Sequence, residues 1–393
     1  MMGAEEGYLP GRHLLQVPGP TNVPDSVLRA IGSQTLDHRS PDFAALLQGL
    51  LPDLQAVFKT SAPVVMYAGS GTSASEAALV NTLSPGDAVF IVETGHFANL
   101  WARMATQLGL VVESVPTDWR SAIDPSLVYE RLARDPEHSI KAVLVTHNET
   151  STGVTSDVGA VRGAIDRAGH PALLFVDAVS SLGSIDYRHE EWGVDVTVAG
   201  SQKGLMLPAG LAFNAISERA LAATESAKLT RSFWDWRPIV EQNRSGFFPY
   251  TPATNLLLGL RASLDLLARE GLAAVFARHI RHGRAARAAV RAWGLEVACR
   301  DEAACSPVVT AVMMPEGYSE VDFRNVALRG FGLALGAGLG QFAGRSFRIG
   351  HLGDFDDLTL VATLAGVELS LERAGVPHRR GGVAAALDVL RGE

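Results

Sequence analysis

The chain has 393 residues, 47% hydrophobic and 19% charged, which is enough for one large or two moderate buried cores, and its net charge of −8 gives no electrostatic case for a nucleic-acid or anionic-membrane partner. Two cysteines, Cys299 and Cys305, fit a reducing compartment better than a disulfide framework, although one bridge between them is conceivable. The N-terminal residues carry Glu5 and Glu6 with no apolar signal-peptide core, and no apolar run reaches the roughly 18 residues of a membrane span, so the expected location is cytoplasmic.

From residue 64 onward, short apolar runs alternate with helix-like segments. Val64–Ala68 precedes a helical pattern over Ser73–Leu83, and Ala88–Val92 precedes one over Phe97–Leu108. Val111–Val115 is followed by Leu127–Arg134 and Ala142–Thr146 by Val158–Ala168; Ala172–Val176, Val194–Ala199 and Leu211–Ile216 complete the set. Each run is too short for a globular helix, and uninterrupted apolar strands need cover on both faces. The pattern predicts an α/β fold with a mainly parallel seven-stranded sheet, in which Leu211–Ile216, at a hairpin-compatible distance, is the candidate antiparallel strand. Ligands are expected at the carboxyl ends of such strands.

After about residue 255 the pattern changes. A long helical stretch, Leu256–Trp293, is broken near Gly271; strand-like pieces follow at Val308–Met313 and Ser346–Ile349, with a helix near Leu358–Ala374. The expected organisation is a large domain over 15–255, a smaller α+β domain over 256–393, and residues 1–14 as an N-terminal arm, with the tail from His378 partly loose. Arg278, Arg281, Arg284, Arg287 and Arg291 recur at spacings of three and four. They read as an anion-binding stripe or, as is commoner, a solvated helix face.

The residues that carry chemistry lie at strand ends. Ala172–Val176 runs into Asp177, and Val194–Ala199 into Gly200-Ser201-Gln202-Lys203-Gly204. An acid and an amine so placed are the pair that holds pyridoxal phosphate, one on the pyridine nitrogen and the other on the aldehyde. Singly, each has an ordinary reading, as an exposed loop lysine and a capping or ion-paired aspartate. The turn Gly69-Ser70-Gly71-Thr72 offers hydroxyls and helix N–H groups to a single phosphate. It lacks the GxGxxG and GKT/S spacings of dinucleotide and nucleoside-triphosphate sites. Gly95-His96-Phe97 supplies an aromatic ring that can stack on a planar cofactor, although His96 and Phe97 taken singly read as packing residues. His147-Asn148-Glu149-Thr150 offers polar groups to a ring hydroxyl. Arg348, set between Phe347 and Ile349, needs an anion, and a bidentate guanidinium suits an α-carboxylate. No metal is expected.

Together these segments resemble the class V, fold-type I pyridoxal-phosphate aminotransferases, in their serine–glyoxylate and alanine–glyoxylate branch. The resemblance rests on Val17-Pro18-Gly19-Pro20-Thr21-Asn22, Asp37-His38-Arg39-Ser40, the Gly69–Thr72 turn, His147–Gly153, Phe175-Val176-Asp177-Ala178-Val179-Ser180-Ser181, Gly200–Leu205, Phe248-Pro249-Tyr250-Thr251-Pro252 and Phe347–His351, and so spans nearly the whole chain. It implies that Lys203 is the Schiff-base lysine and proton shuttle and that Asp177 pairs with the pyridinium. Val179 packs under the ring, Phe97 stacks on it, and Thr150 lies near its phenolic oxygen. Ser70, Gly71, Thr72 and Gln202 hold the phosphate. Gly19, Thr150 and Arg348 face the substrate, with Arg348 gripping the α-carboxylate. Tyr250 and Thr251 reach the neighbouring subunit's cofactor, which implies a homodimer with shared sites. Phe248 stands where some alanine–glyoxylate relatives carry tyrosine, so a hydroxyl contact expected there is missing.

The implied reaction is a ping-pong transamination from a small L-amino acid to glyoxylate, giving glycine and a 2-oxo acid. Serine is favoured by the Gly200–Gly210 and Phe248–Pro252 runs; alanine and aspartate stay open. Aspartate's second carboxylate needs another cation, for which Arg39, Arg231 and Arg244 are candidates. A cysteine desulfurase of the same fold needs an accessible, mobile cysteine, and Cys305 beside a predicted strand suits a structural role better. A non-catalytic relative would be expected to lack Lys203, Asp177 or Arg348, and all three are present.

Overall fold

A strand buried on both faces sends alternate side chains into two cores. The structure, a computed structural model that describes residues 11–392, does this through most of its large sheet. Met66 and Val64 enter one core while Val65 and Tyr67 enter the other. Val143 and Val145 oppose Ala142 and Leu144, and Leu174 and Val176 oppose Leu173 and Phe175. Burial of each large side chain such as Phe90, Phe175 or Phe213 contributes about 1.5–3 kcal/mol.

The sheet has seven strands, in the spatial order Val64–Gly69, Gly210–Ile216, Val196–Gly200, Leu173–Asp177, Ile140–Thr146, Ala88–Glu93 and Val111–Pro116. Every strand runs the same way except Gly210–Ile216, which is antiparallel to both neighbours. All seven apolar runs are therefore strands, and the last is the antiparallel one. Between them lie the helices Gly71–Thr82, His96–Gln107, Pro125–Ala133 and Val158–Arg167. Small residues, Ala74, Ala77 and Ala78, let Gly71–Thr82 lie close against Val196–Gly200 and Gly210–Ile216.

The later helical stretch breaks at Gly271, whose φ of +84° lies in the left-handed region that glycine takes freely. Thr254–Glu270 ends there and Leu272–Trp293 begins. A second sheet follows, in the order Leu14–Gln16, Leu333–Ala337, Ser346–Gly350, Val309–Met313 and Glu296–Val297. Its first strand comes from the N-terminal side of the chain and pairs parallel with Leu333–Ala337. A third core around Trp293, Phe323, Phe347 and Leu364 fills the space between this sheet and the helices Leu272–Trp293, Glu320–Phe331 and Asp357–Arg373. Residues 1–10 of the expected arm lie outside the described residues.

Two expectations need correction. The tail is not loose: Gly382–Arg391 is a helix docked on Leu272–Trp293. Glu368 anchors its start by accepting from the N–H groups of Gly381, Gly382 and Val383 while also accepting from Nε1 of buried Trp293. Nor do the five arginines form an anion stripe: four of them have protein partners, while Arg284 is exposed as on a solvated face. Arg278 pairs with Glu270 and donates to the Gly353 and Phe355 carbonyls, Arg281 pairs with Asp357, and Arg287 and Arg291 both meet Glu302. Their partners lie outside the helix, those at 353–357 in a segment distant in sequence, which helix spacing alone does not reveal. Cys299 and Cys305 are free and buried. Among the described residues no helix is long and apolar enough to cross a membrane.

Candidate active site

Asp177 closes one central strand, and the next, Val196–Gly200, hands over to the loop that carries Lys203. That loop is pinned at its base. Ser201 Oγ donates to the Pro208 carbonyl at 2.7 Å and accepts from Leu211 N at 3.1 Å, while Leu207 N donates to the Ser201 carbonyl. From the N-terminal segment, Thr21 N reaches the Gln202 carbonyl and Thr21 Oγ1 the Lys203 carbonyl, both at 3.1 Å. The Lys203 amine, on a residue only 8% exposed, donates to the Pro18 carbonyl. Gly19 makes room for it: a Cβ there would overlap the lysine side chain, and its φ of +120° already disfavours any other residue.

Burial depresses the Lys203 amine to about 8, and the Arg348 charge acts in the same direction. Burial pushes Asp177 up to about 7; the hydrogen bond from Val179 N at 2.8 Å and the Lys203 charge oppose that rise, and Glu149 adds to it. A half-buried carboxylate with no ion-pair partner among the described residues and a partly neutral amine form a donor set that fits a protonated pyridine nitrogen and an aldehyde carbon.

Both groups line a cavity of about 300 Å³, at the lower end of the range of about 300–1,000 Å³ usual for small-molecule sites. Val179, Phe97 and Thr150 are among its walls; Gly19, Gln202, Ser70, Gly71 and Thr72 also border it. At the last three, the helix Gly71–Thr82 begins, and the N–H groups of its first turn have no acceptor within the helix. Gln202 Oε1 is buried with no hydrogen-bond partner. A Cβ built on Gly200 would sit 2.9 Å from that oxygen and 3.0 Å from Gly71 N, so the two polar groups border one small space. The residues present thus fit a phosphate at one end and an aldehyde-bearing ring at the other.

Arg348 sits just outside this lining. Its Nε donates to the Ala337 carbonyl at 2.8 Å and its Nη1 to the Thr150 carbonyl at 2.9 Å. Burial lowers its pKa to about 10. Among the described residues no carboxylate pairs with it, which leaves its charge for an incoming anion.

Other expected residues lie elsewhere. Tyr250 and Thr251 border a different cleft beside Tyr67 and Phe248, and Tyr250, 44% exposed, stacks on Phe233. Arg231 is consumed by the carbonyls of Val80, Thr224 and Ala227, and Arg39 and Arg244 are on exposed positions. Cys305 belongs to a small cluster with Cys299 and Val154, away from the cavity lining. Four lining residues were not read as site residues in the sequence: Ser75, on the helix that starts at the phosphate turn, and Leu100, Trp101 and Met104. The last three share the helix face of Phe97 at spacings of three, four and seven, a signal that helical periodicity carries.

A family model described as aminotransferase class-V matches residues 13–339. The chain is 49% identical to the serine–glyoxylate aminotransferase of Methylorubrum extorquens over 97% of each chain. It is 45% identical to the L-aspartate–glyoxylate aminotransferase of Paracoccus denitrificans over 95% of each. The crystal structure of pyridoxamine–pyruvate aminotransferase from Mesorhizobium loti matches with a TM-score of 0.89 at 31% identity, over 96% of this chain and 97% of that one. Similarity this complete, on a cavity whose acid and amine fit the cofactor, settles the family: the chain belongs to the class-V aminotransferases and uses pyridoxal phosphate.

Proposed function

We propose that this chain transfers the amino group of L-serine to glyoxylate, with L-alanine as a secondary donor, in two half-reactions at the Lys203 cavity. The observation that carries the donor choice is the cavity's charge. Among the described residues Lys203 is the one basic side chain in its lining, and Arg348 lies next to it, which suits a single substrate carboxylate. The serine–glyoxylate relative at 49% identity supports the same choice. The aspartate reading has its own support in the Paracoccus relative. It requires a second cation, and neither Arg39, Arg231 nor Arg244 lines the cavity within this chain.

In this reading pyridoxal phosphate supplies the electron-withdrawing ring that makes the amino acid's α-proton removable. Lys203 would hold the cofactor, and its amine, once freed, would take the proton from the substrate's Cα and deliver it to the cofactor's aldehyde-derived carbon, work worth about 10²–10⁴-fold. Asp177 keeps the ring nitrogen protonated. Phe97 and Val179, both in the lining, would bind the ring and exclude water from it. Thr150 orients the phenolic oxygen. Ser70, Gly71, Thr72 and Gln202 hold the phosphate, and Arg348 with Gly19 aligns the substrate's α-carboxylate. Tyr250 and Thr251 complete the phosphate site of a partner subunit, so the working form is a homodimer. We take residues 15–255 as a cofactor-binding unit and 256–393 as a smaller unit, whose sheet the strand Leu14–Gln16 joins, and place the enzyme's work in the cytoplasm. A desulfurase reading has no cysteine at the cavity to support it.

The test is the absorbance spectrum of purified protein with pyridoxal phosphate. A visible band that L-serine removes and glyoxylate restores is expected, with L-aspartate far less effective. No visible band after reconstitution would remove Lys203 from its role, and a band that aspartate discharges faster than serine would overturn the donor assignment.

A further inference from the structure

Glu149 is 1% exposed and faces no cation at ion-pair distance among the described residues. Its two oxygens are instead divided between two segments. Oε2 accepts from Phe97 N at 3.1 Å and Ala98 N at 3.2 Å, in the first turn of the helix His96–Gln107. Oε1 accepts from Ser151 N at 3.0 Å and Ser151 Oγ at 2.6 Å. Ser151 Oγ accepts in turn from His96 N at 3.0 Å. Three of these four donors are backbone N–H groups that cannot accept, so the arrangement matches a carboxylate rather than a carboxylic acid.

The helix His96–Gln107 has no cap of its own. Its N-cap residue is Gly95, and a Cβ there would overlap the Glu149 side chain and come within 2.6 Å of Ser151 Oγ. A carboxylate from a segment some fifty residues away in sequence thus occupies the place of a local cap, where the helix dipole also favours negative charge. The consequences reach both sides of the cavity. Phe97, whose N–H Glu149 holds, is a wall of the cavity, and Thr150, next to Glu149 in the chain, offers the carbonyl that holds Arg348 Nη1.

We infer that Glu149 is a positioning residue of this active site: by capping the helix that carries Phe97 from the loop that carries Thr150, its carboxylate sets the stacking wall and the substrate-side arginine in register. This rests on the reading of the Lys203 cavity as the cofactor site. The carboxylate touches neither cofactor nor substrate and acts through Phe97 and Arg348. In Glu149→Gln one oxygen becomes an amide donor facing N–H groups, so one of the two segments is released. In Ser151→Ala the Oε1 side is weakened and His96 N loses its acceptor, a gentler change that leaves the helix contacts of Oε2 in place.

The experiment is visible-region circular dichroism of the holoenzyme, normalised to bound cofactor, together with steady-state kinetics well below each variant's own melting temperature. Both variants are expected to keep the visible absorbance band while losing at least half of its normalised dichroism, because the ring wall is no longer fixed. Glu149→Gln is expected to lower kcat about 10–100-fold, the scale of a sub-ångström to 1 Å misplacement, and Ser151→Ala less. Wild-type dichroism and kcat in the variants, with only the melting temperature reduced, would make Glu149 a purely structural residue and overturn the inference. If Glu149→Gln does not fold, Ser151→Ala decides by the same two readouts. A wild-type protein without a visible band would instead count against the cofactor site itself, so the two failures are distinguishable.

Discussion

Arg348 Nη1 and the Thr150 carbonyl, 2.9 Å apart, join a strand of the C-terminal sheet to the loop that follows a central strand of the large sheet. The arginine proposed to meet the substrate is therefore aimed by the same loop that lines the Lys203 cavity. Arg348→Gln removes the charge and keeps a donor. It is expected to raise KM for serine and for glyoxylate about 10–100-fold, the worth of a hydrogen bond to a charged group, while the resting visible band is unchanged. Arg348→Lys restores the charge without the planar fork and should recover little of the loss. Initial-rate kinetics on both variants check this, and an unaltered KM would place the carboxylate elsewhere.

Lys203 must be neutral to attack an aldehyde, and burial has brought its amine down to about 8. Capture of pyridoxal phosphate by the apoprotein is therefore expected to speed up about tenfold per pH unit below 8 and to level off above 9. The growth of the visible band after mixing, followed from pH 6 to 10, measures it. A rate still climbing at pH 10 would mean that the lysine keeps its ordinary basicity.

Tyr250 and Thr251 border a different cleft from their own chain's Lys203 cavity, which makes mixed subunits an informative test. One subunit carries Lys203→Ala; the other carries Tyr250→Phe with Thr251→Ala. If sites are shared, the mixed dimer regains one wild-type site, the one with the intact lysine and the partner subunit's intact Tyr250 and Thr251. Activity should then rise from near zero toward a quarter of the wild-type value in a statistical mixture. No recovery on mixing would place all the phosphate ligands in one chain.

The sheet was legible because both its faces are covered. Strands such as Leu173–Asp177 must be apolar at nearly every position, and an uninterrupted run such as Leu173–Val176 is hard to misread. Leu333–Ala337 was harder, since Leu-Ala-Leu-Gly-Ala carries no β-branched residue, and Leu14–Gln16 is too short to register alone. Lys203 and Asp177 could be found because each interrupts an apolar context at a strand end. Glu149 and the arginine ion pairs could not, because Phe97, Ala98, Asp357 and Glu302 meet them only after the chain has folded. Sequence pattern reports burial well; it reports the partner of a buried charge only when that partner is local.

His147 and His189 lie under the large sheet as neutral rings. His147 Nδ1 meets Ser181 Oγ at 2.9 Å, and His189 Nδ1 meets Thr197 Oγ1 at 2.7 Å, where the Tyr187 hydroxyl also bonds. Burial lowers each to about 4, against about 6.5 in an unfolded chain. Between these values the unfolded state binds protons that the folded state refuses, so stability falls as pH falls. The contribution is complete above about pH 6.5 and is lost progressively toward pH 4, on the order of 3 kcal/mol for each ring. Asp177 is shifted in the opposite sense in the apoprotein and would mask part of this, so the holoenzyme is the form to measure. Its urea midpoint should be level from pH 8 to 6.5 and drop steeply by pH 5. Replacing His189 with glutamine, which keeps a polar contact with Thr197 and cannot take up a proton, should flatten that drop by about one proton's worth. An equally steep fall in the variant would trace the acid sensitivity to another group.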